Sequence, residues 1–84
     1  MEKIDALMEL LASQSDPQML RALFADLCTD KELENMAERL YAAKLLIEGK
    51  TYNQVMELST ISSATLSRVS RCVQYGKGYK NLLK

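Results

Sequence analysis

Apolar residues recur at intervals of three and four along almost the whole of this chain, which is the spacing of one face of an α-helix. In residues 2–13, for example, Ile4, Leu7, Met8 and Leu11 fall on one side and acidic residues fall on another. A single proline and three glycines interrupt the pattern. The chain is therefore predicted to be all-α, a helical bundle of four or five helices.

The second and third predicted helices have clear start signals. Asp16 followed by Pro17 is typical of an N-cap and a first helical residue, and Thr29 and Glu32 have the spacing of a capping box. Gly49 supplies the left-handed residue that ends the third helix near residue 48. Apolar residues lie on more than one side of this helix, which predicts a central helix packed on two faces, and they are Leu33, Met36, Ala37, Leu40, Tyr41, Leu45 and Ile47.

Two shorter helices follow. Thr51 is the expected N-cap of the first, which ends near residue 58 or 59, and Gln54 is its weaker capping-box partner. After a turn at residues 60–61, Ser62 caps a second helix, which glycines 76 and 78 end. This layout predicts a helix-turn-helix over about 51–74, followed by one more helical turn in residues 79–84. The side chains predicted to face inward are Tyr52, Val55, Met56, Leu66, Val69 and Val73.

Charge is divided unevenly along a chain whose formal net charge is zero. Residues 1–57 hold all eleven acids and six of the eleven bases, a net charge of −5, whereas residues 58–84 hold no acid and five bases, a net charge of +5. A basic end of this kind is typical of a surface that binds a polyanion, although a solvated basic tail has the same composition.

Size and composition favour a partner. Eighty-four residues form one domain, 1–84, and a chain this short buries only about 60% of its unfolded surface. Yet 48% of the residues are hydrophobic. The chain is either a tightly packed bundle or a subunit whose core a partner completes, and the second interpretation is favoured.

Residue types exclude several kinds of site. Cys28 and Cys72 lack metal-ligand spacing and the chain has no histidine, so we expect no metal and two buried, reduced thiols. No glycine-rich phosphate loop or convergent carboxylate pair is present, so the protein is predicted not to be an enzyme, and Glu32, Glu34 and Glu38 are interpreted as a solvated helix face. Without a signal region or an apolar run of about 18 residues, we expect a cytoplasmic protein with no membrane segment.

The segment at 62–68, Ser-Ser-Ala-Thr-Leu-Ser-Arg, is the most informative about function. A helix that enters the major groove presents its N-terminal turn to the base edges. Small residues there allow close approach, and hydroxyls can bond bases or phosphates. Ala64 is expected to be small so that the two helices can cross closely. The alternative is an ordinary helix cap followed by solvated arginines.

The positions around this tip are predicted to divide into two sets. Ser63, Thr65 and Ser67 are expected to be exposed toward the bases, beside the cap at Ser62. Arg68 and Arg71 fall one turn later, where a phosphate backbone would pass, and the positive end of the helix also favours phosphate oxygens.

Several motifs together resemble the bacterial tryptophan repressor family. They are Leu-Cys-Thr-Asp-Lys-Glu at 27–32 with Glu-Arg at 38–39, Leu-Leu-Ile-Glu-Gly at 45–49, and Ala-Thr-Leu-Ser-Arg at 64–68. The run Ser-Arg-Val-Ser-Arg-Cys-Val-Gln-Tyr-Gly at 67–76 is most similar to the tryptophan-repressor-like branch of that family. The resemblance spans about residues 20–76.

The resemblance implies an intertwined homodimer that binds palindromic operator DNA, and hence a sequence-specific transcriptional regulator, specifically a repressor. Helices within about 2–48 would then serve dimerisation. The family's base-facing positions fall on Ser63, Ala64, Thr65 and Ser67. Its phosphate-facing positions fall on Tyr52, Ser70 and Arg71, and Asn53 matches a groove-facing position.

An effector site is a separate question. The family's tryptophan pocket matches Thr29, Arg39 and Arg68, and two arginines could enclose an indole and pair with its carboxylate. However, Val69 stands where the family has glycine, and Cys72 where it has serine. The loop before the helix-turn-helix also looks one residue shorter. L-tryptophan, another small effector and no effector at all are therefore all left open.

A second interpretation of function needs no DNA. The same helical surface would suit a protein–protein interaction module, because an acidic protein partner would tolerate the basic end equally well. A salt-dependent mobility shift with DNA separates the two interpretations.

Overall fold

Residues 2–83 are described by a computed structural model. These residues form six helices and no strand: α1 (Glu2–Ser13), α2 (Pro17–Leu27), α3 (Asp30–Ile47), α4 (Tyr52–Leu58), α5 (Ser63–Tyr75) and α6 (Gly78–Leu82). The all-α prediction is confirmed, and α4 and α5 are the two predicted helices of the helix-turn-helix. One boundary is wrong: Gly78 opens α6 and does not end α5, which already stops where the Gly76 N–H donates to the Cys72 carbonyl at 2.8 Å.

The predicted caps form at the starts of α2 and α3. The Asp16 carboxylate accepts the Gln18 N–H at 3.0 Å. The Thr29 N–H donates to Glu32 Oε1 at 2.9 Å, and the Glu32 N–H donates to Thr29 Oγ1 at 3.1 Å. Two hydrogen bonds from Thr29 to the Glu32 carboxyl, first from the Thr29 backbone N–H and then from its side chain, hold the pKa of this carboxyl below its ordinary value of 4.5. These bonds satisfy N–H groups that have no partner within the helix, so the helices begin here.

Helix α3 ends in a Schellman motif at Gly49. The Gly49 N–H donates to the Leu46 carbonyl at 3.1 Å and the Lys50 N–H donates to the Leu45 carbonyl at 3.0 Å. Gly49 has φ +99°, a left-handed conformation that costs glycine little because it has no Cβ. The predicted stop of α3 is therefore confirmed in its backbone geometry.

Substituting Gly49 tests how much this stop contributes. We expect Gly49→Ala to lower the free energy of unfolding by about 1–2 kcal/mol, the cost of a left-handed conformation for an L-residue. A Cβ at Gly49 or at Gly78 meets no atom within 4 Å, and only Gly49 has positive φ. Gly78→Ala is thus the matched control, expected to be neutral or slightly stabilising. Urea unfolding measures both, and equal destabilisation by the two substitutions would contradict the explanation.

Two compact units divide the chain, one up to Leu33 and the other from Glu34 onward. In the first unit, α1 and α2 contain no buried residue. An isolated helix pair without buried side chains is marginal in water. Half or more of the side-chain surface is accessible at several large apolar residues of this unit: Ile4, Met8, Leu10, Met19 and Leu27.

The second unit has a buried core at the end of α3. Helices α4 and α5 contribute their inner faces to this core, and Val55 and Leu66 are its largest fully buried side chains. Val73 packs against it, together with Tyr79 of α6, so the predicted inward face of α5 is correct. The complete buried cluster is Ala42, Ala43, Leu45, Val55, Ile61, Leu66 and Val69.

Some predictions of buried positions are wrong. Tyr52 is 40% exposed and Met56 is 36% exposed, because α4 has only seven residues and buries Val55 alone. Within residues 2–83, three large apolar side chains of α3 are 40–50% exposed: Met36, Leu40 and Tyr41. The prediction that α3 packs on two faces therefore stays a prediction.

The two cysteines are free, as predicted, but their side chains are half-buried and not fully buried. Over residues 2–83, no group of three or more histidine, cysteine and acidic side chains is arranged to hold a metal ion. None of the six helices described above has the length and apolarity needed to cross a membrane.

Candidate nucleic-acid interface

Helix α5 has two chemically different faces. Its inner face packs Leu66 and Val69 into the core, where they are 0% and 2% exposed. Its outer face, defined here by five exposed residues at helical spacing, carries hydroxyl and guanidinium groups and no acid. The five residues of the outer face are Ser63, Ala64, Ser67, Arg68 and Arg71.

Ser62 organises the first turn of α5. Its Oγ accepts the Thr65 N–H at 3.2 Å and donates to Thr65 Oγ1 at 3.0 Å. Thr65 is half-buried and not exposed as predicted, with its hydroxyl turned toward this cap. In this bond Ser62 donates and the Thr65 hydroxyl accepts, so the Thr65 hydroxyl still has its own hydrogen available to donate.

Ala64 is exposed, so the prediction that its small size lets the two helices cross closely is wrong. It lines an open cleft of about 630 Å³ together with Ser67, Arg68 and Arg71. A methyl group at this position leaves room for a broad ligand to approach the helix closely.

The wall of the same cleft continues toward the C-terminal end of α5. Ser70, another predicted contact, is half-buried, and its Oγ accepts a hydrogen bond from Gln74 Nε2 at 3.4 Å. Its own hydroxyl hydrogen is free for an acceptor such as a phosphate oxygen. Tyr75 completes the wall and is 80% exposed.

The start of α4 is closed by a capping box. The Thr51 N–H donates to Gln54 Oε1 at 2.8 Å, and the Gln54 N–H donates to Thr51 Oγ1 at 3.2 Å. Asn53 is exposed beside this cap. The Tyr52 hydroxyl donates to the Ser63 carbonyl at 2.9 Å. This bond brings the predicted contact residues at the starts of α4 and α5 to the same side of the helix-turn-helix.

The turn between α4 and α5 is held by Glu38, which the sequence did not suggest. Glu38 Oε2 accepts the Thr60 N–H at 3.4 Å and its side chain is half-buried, so the interpretation as a solvated residue is wrong. The two residues are 22 positions apart, and no local pattern links them. Glu32 and Glu34 are exposed, as expected.

The family model described as Trp repressor protein matches residues 2–84. The chain belongs to this family. The match extends beyond residues 20–76, the part that the motifs cover, and it confirms the resemblance. The family is one of regulators and not an enzyme family.

Relatives of the Trp repressor family support the tryptophan-repressor-like branch. The uncharacterized protein YerC of Bacillus subtilis is 39% identical over 75 residues, which are 89% of this chain and 72% of YerC. A crystal structure from Staphylococcus aureus, provisionally described as a Trp repressor, has a TM-score of 0.92 at 32% identity, over 99% of this chain and 84% of that one. A TrpR-like protein from Eubacterium eligens has a TM-score of 0.91 at 32% identity, over 98% and 86% of the two chains.

The residues matched to the tryptophan pocket of this family have distinct local environments. Thr29 uses its hydroxyl in the capping box of α3. Arg39 and Arg68 are exposed, and Arg68 lines the open cleft beside α5. Val69, which stands where the family has glycine, is directed into the core.

An apolar cavity of about 400 Å³ was not predicted from the sequence. It lies where α3, the end of α5 and α6 meet, and its described lining does not include Arg39 or Arg68. Cys72 lines both this cavity and the open cleft. The seven lining residues are Leu40, Cys72, Gly76, Gly78, Tyr79, Leu82 and Leu83.

Proposed function

We propose that this chain is a transcriptional regulator that works as a homodimer, binds a palindromic operator in double-stranded DNA, and represses transcription in the bacterial cytoplasm. The observation that carries the proposal is the outer face of α5. Its hydroxyls and arginines stand opposite a buried side, so the helix is rigidly held with its polar face outward. Membership of the Trp repressor family supports the same function.

The chemistry of the outer face suits a DNA groove. Exposed Ser63 and Ser67 and the free hydroxyl hydrogen of Thr65 can meet acceptors on base edges in the major groove. Arg68 and Arg71 supply positive charge for phosphates, and residues 58–83 contain no acid that would repel them. The hydroxyl groups at the start of α5 would thus contact bases, and the arginines one turn later would contact phosphates.

The first unit supports the dimer. Helices α1 and α2 bury no residue within the chain and expose large apolar side chains. In a two-fold dimer, the same apolar side chains of the second copy would pack against those of the first and cover them. Two copies would then present two α5 helices to successive half-sites of a palindrome.

Substituting Arg71 tests the phosphate contact. We expect Arg71→Ala to weaken binding to all DNA sequences alike and to lower the slope of log affinity against log salt by about one, because one phosphate contact is lost. The control is Lys44→Ala, which removes one exposed positive charge from α3 outside the helix-turn-helix. Mobility shifts over a salt series measure both variants.

Thr65→Ala tests the base contact in the same assay. We expect it to change which sequences are selected from a random DNA pool, while the salt dependence stays as in the unmodified protein. If Arg71→Ala and Thr65→Ala both bind the parent's operator as tightly as the parent, the assignment of this face to the groove is wrong. The absence of any shift at low salt would favour the protein–protein interaction module instead.

The small effector remains a separate part of the proposal. The exposed guanidinium groups of Arg39 and Arg68 favour a carboxylate-bearing ligand, whereas Val69 and Cys72 depart from the family's tryptophan pattern. Selecting operator DNA with and without L-tryptophan tests this: an unchanged pool and affinity would count against tryptophan as the effector.

A further inference from the structure

Over residues 2–83, two side-chain hydrogen bonds join residues more than four positions apart, and each has at least one partner in the helix-turn-helix. Glu38 holds the turn through the Thr60 N–H, and the Tyr52 hydroxyl donates to the Ser63 carbonyl at 2.9 Å. The other side-chain bonds of this part of the chain join residues at most four positions apart. The Tyr52 bond is the shorter of the two and reaches the first residue of α5.

The hydrogen bond from Tyr52 to Ser63 is incompatible with a hydrogen bond from the same hydroxyl to a phosphate. A tyrosine hydroxyl has one hydrogen, and a phosphodiester oxygen can only accept a hydrogen bond. Because that hydrogen is donated to the Ser63 carbonyl, Tyr52 cannot donate to DNA without releasing α5. The family-based assignment of Tyr52 to a phosphate therefore conflicts with this geometry.

Both ends of the bond are well placed to fix an orientation. On one side, Tyr52 is the first residue of α4, whose start the capping box of Thr51 and Gln54 holds at 2.8 and 3.2 Å. On the other side, Ser63 begins the outer face of α5 and directly precedes Ala64. A contact between these two points limits how far the tip of α5 can swing relative to α4.

We propose that Tyr52 is a positioning residue, which sets the direction of the first turn of α5 and thereby the discrimination between operator and other DNA. This inference rests on the proposed function for its second half. A reading helix that tilts more freely places Ser63 and Thr65 less accurately against base edges. Contacts to phosphates tolerate such tilt better, because several oxygens of each phosphate can accept a hydrogen bond.

The test is Tyr52→Phe, which removes the hydroxyl and keeps the ring. Loss of a hydrogen bond of ordinary net strength should lower the ratio of operator to random-sequence affinity by about 3- to 10-fold. The slope of log affinity against log salt should not change. Tyr41→Phe is the matched control, since Tyr41 lies in α3 outside the cleft, is 43% exposed, and its hydroxyl is in no hydrogen bond of the described residues. The control should leave the affinity ratio unchanged.

A DNA-free measurement accompanies the binding assay. Hydrogen exchange of the unbound protein should become faster in Tyr52→Phe at the Thr65 and Leu66 amides, which bond to the Ser62 side chain and carbonyl at 3.2 and 2.9 Å. The Val55 amide in α4, which bonds to the Thr51 carbonyl at 3.0 Å, should keep its rate. Hydrogen exchange therefore tests the bond between Tyr52 and Ser63 whether or not the protein binds DNA.

Two results would overturn the inference. An equal loss of affinity for operator and random-sequence DNA, with an unchanged affinity ratio, would mean that Tyr52 contacts a phosphate. Unchanged exchange at Thr65 and Leu66 would mean that the bond does not hold the tip. If the unmodified protein fails to bind DNA, the proposed function fails and discrimination fails with it, while hydrogen exchange still decides whether Tyr52 orients α5.

Discussion

Replacing Leu66 by alanine is expected to lower the free energy of unfolding by about 2–5 kcal/mol, the usual cost of deleting a fully buried leucine side chain. Leu66 is 0% exposed and lies on the inner face of α5, in the same cluster as Val55 and Ile61. A cavity at this point would remove the packing that keeps the outer face turned to solvent. Urea unfolding at one fixed protein concentration measures the effect, because the stability of an associating chain depends on concentration.

The control for this prediction is Leu58→Ala. Leu58 is the last residue of α4 and is 53% exposed. Its truncation removes the same atoms from a solvent-exposed position, so the free energy of unfolding should change by no more than about 0.5 kcal/mol. Similar losses of unfolding free energy for Leu58→Ala and Leu66→Ala would mean that Leu66 does not lie in the buried core.

A charge in the first unit is expected to convert a dimer into monomers. We predict a sedimentation mass of twice the 9.5 kDa chain for the unmodified protein, and a single-chain mass for Met19→Glu. Met19 is 54% exposed within the chain, and burying a carboxylate at an interface costs several kcal/mol. The substitution lies in the first turn of α2, where a negative charge favours the helix itself, so the loss should come from association.

Gln18→Glu provides the matched control. It adds the same charge at the neighbouring exposed position, which is polar already, and should leave the mass at twice that of one chain. Operator affinity should fall in Met19→Glu and persist in Gln18→Glu. A clean monomer for the unmodified protein at micromolar concentration would contradict the dimer and leave the exposed apolar residues of α1 and α2 unexplained.

Features with local causes could be predicted from the sequence. The capping boxes at Thr29 and Thr51 and the cap at Ser62 each depend on a partner three residues away, and all three form. The stop at Gly49 likewise depends on a single residue that tolerates positive φ. Helix positions and the inward face of α5 follow from such signals and from periodicity.

Contacts between distant residues could not be predicted. Tyr52 reaches Ser63 across 11 positions and Glu38 reaches Thr60 across 22, and no spacing rule covers either pair. Apolar periodicity predicts which face of a helix is buried, but it does not identify the element or subunit that packs against that face. The stripe that includes Leu40 was expected to pack against something, and Leu40 is 50% exposed within residues 2–83. A second copy, which one sequence does not display, is the occupant we propose for such faces.

The connection between α3 and α4 has no spare residue. All four of its backbone N–H groups, at 48–51, are already committed: Glu48 to Lys44, Gly49 and Lys50 to the closing bonds of α3, and Thr51 to the cap of α4. A chain that gained or lost one residue here would need a different stop, and α4 would leave α3 in a new direction. The length of this connection therefore sets the direction of α4 and, through the bond between Tyr52 and Ser63, that of α5. If the proposed dimer binds a palindrome, relatives with a connection of the same length should be able to exchange α5 and keep the spacing between the two copies of this helix.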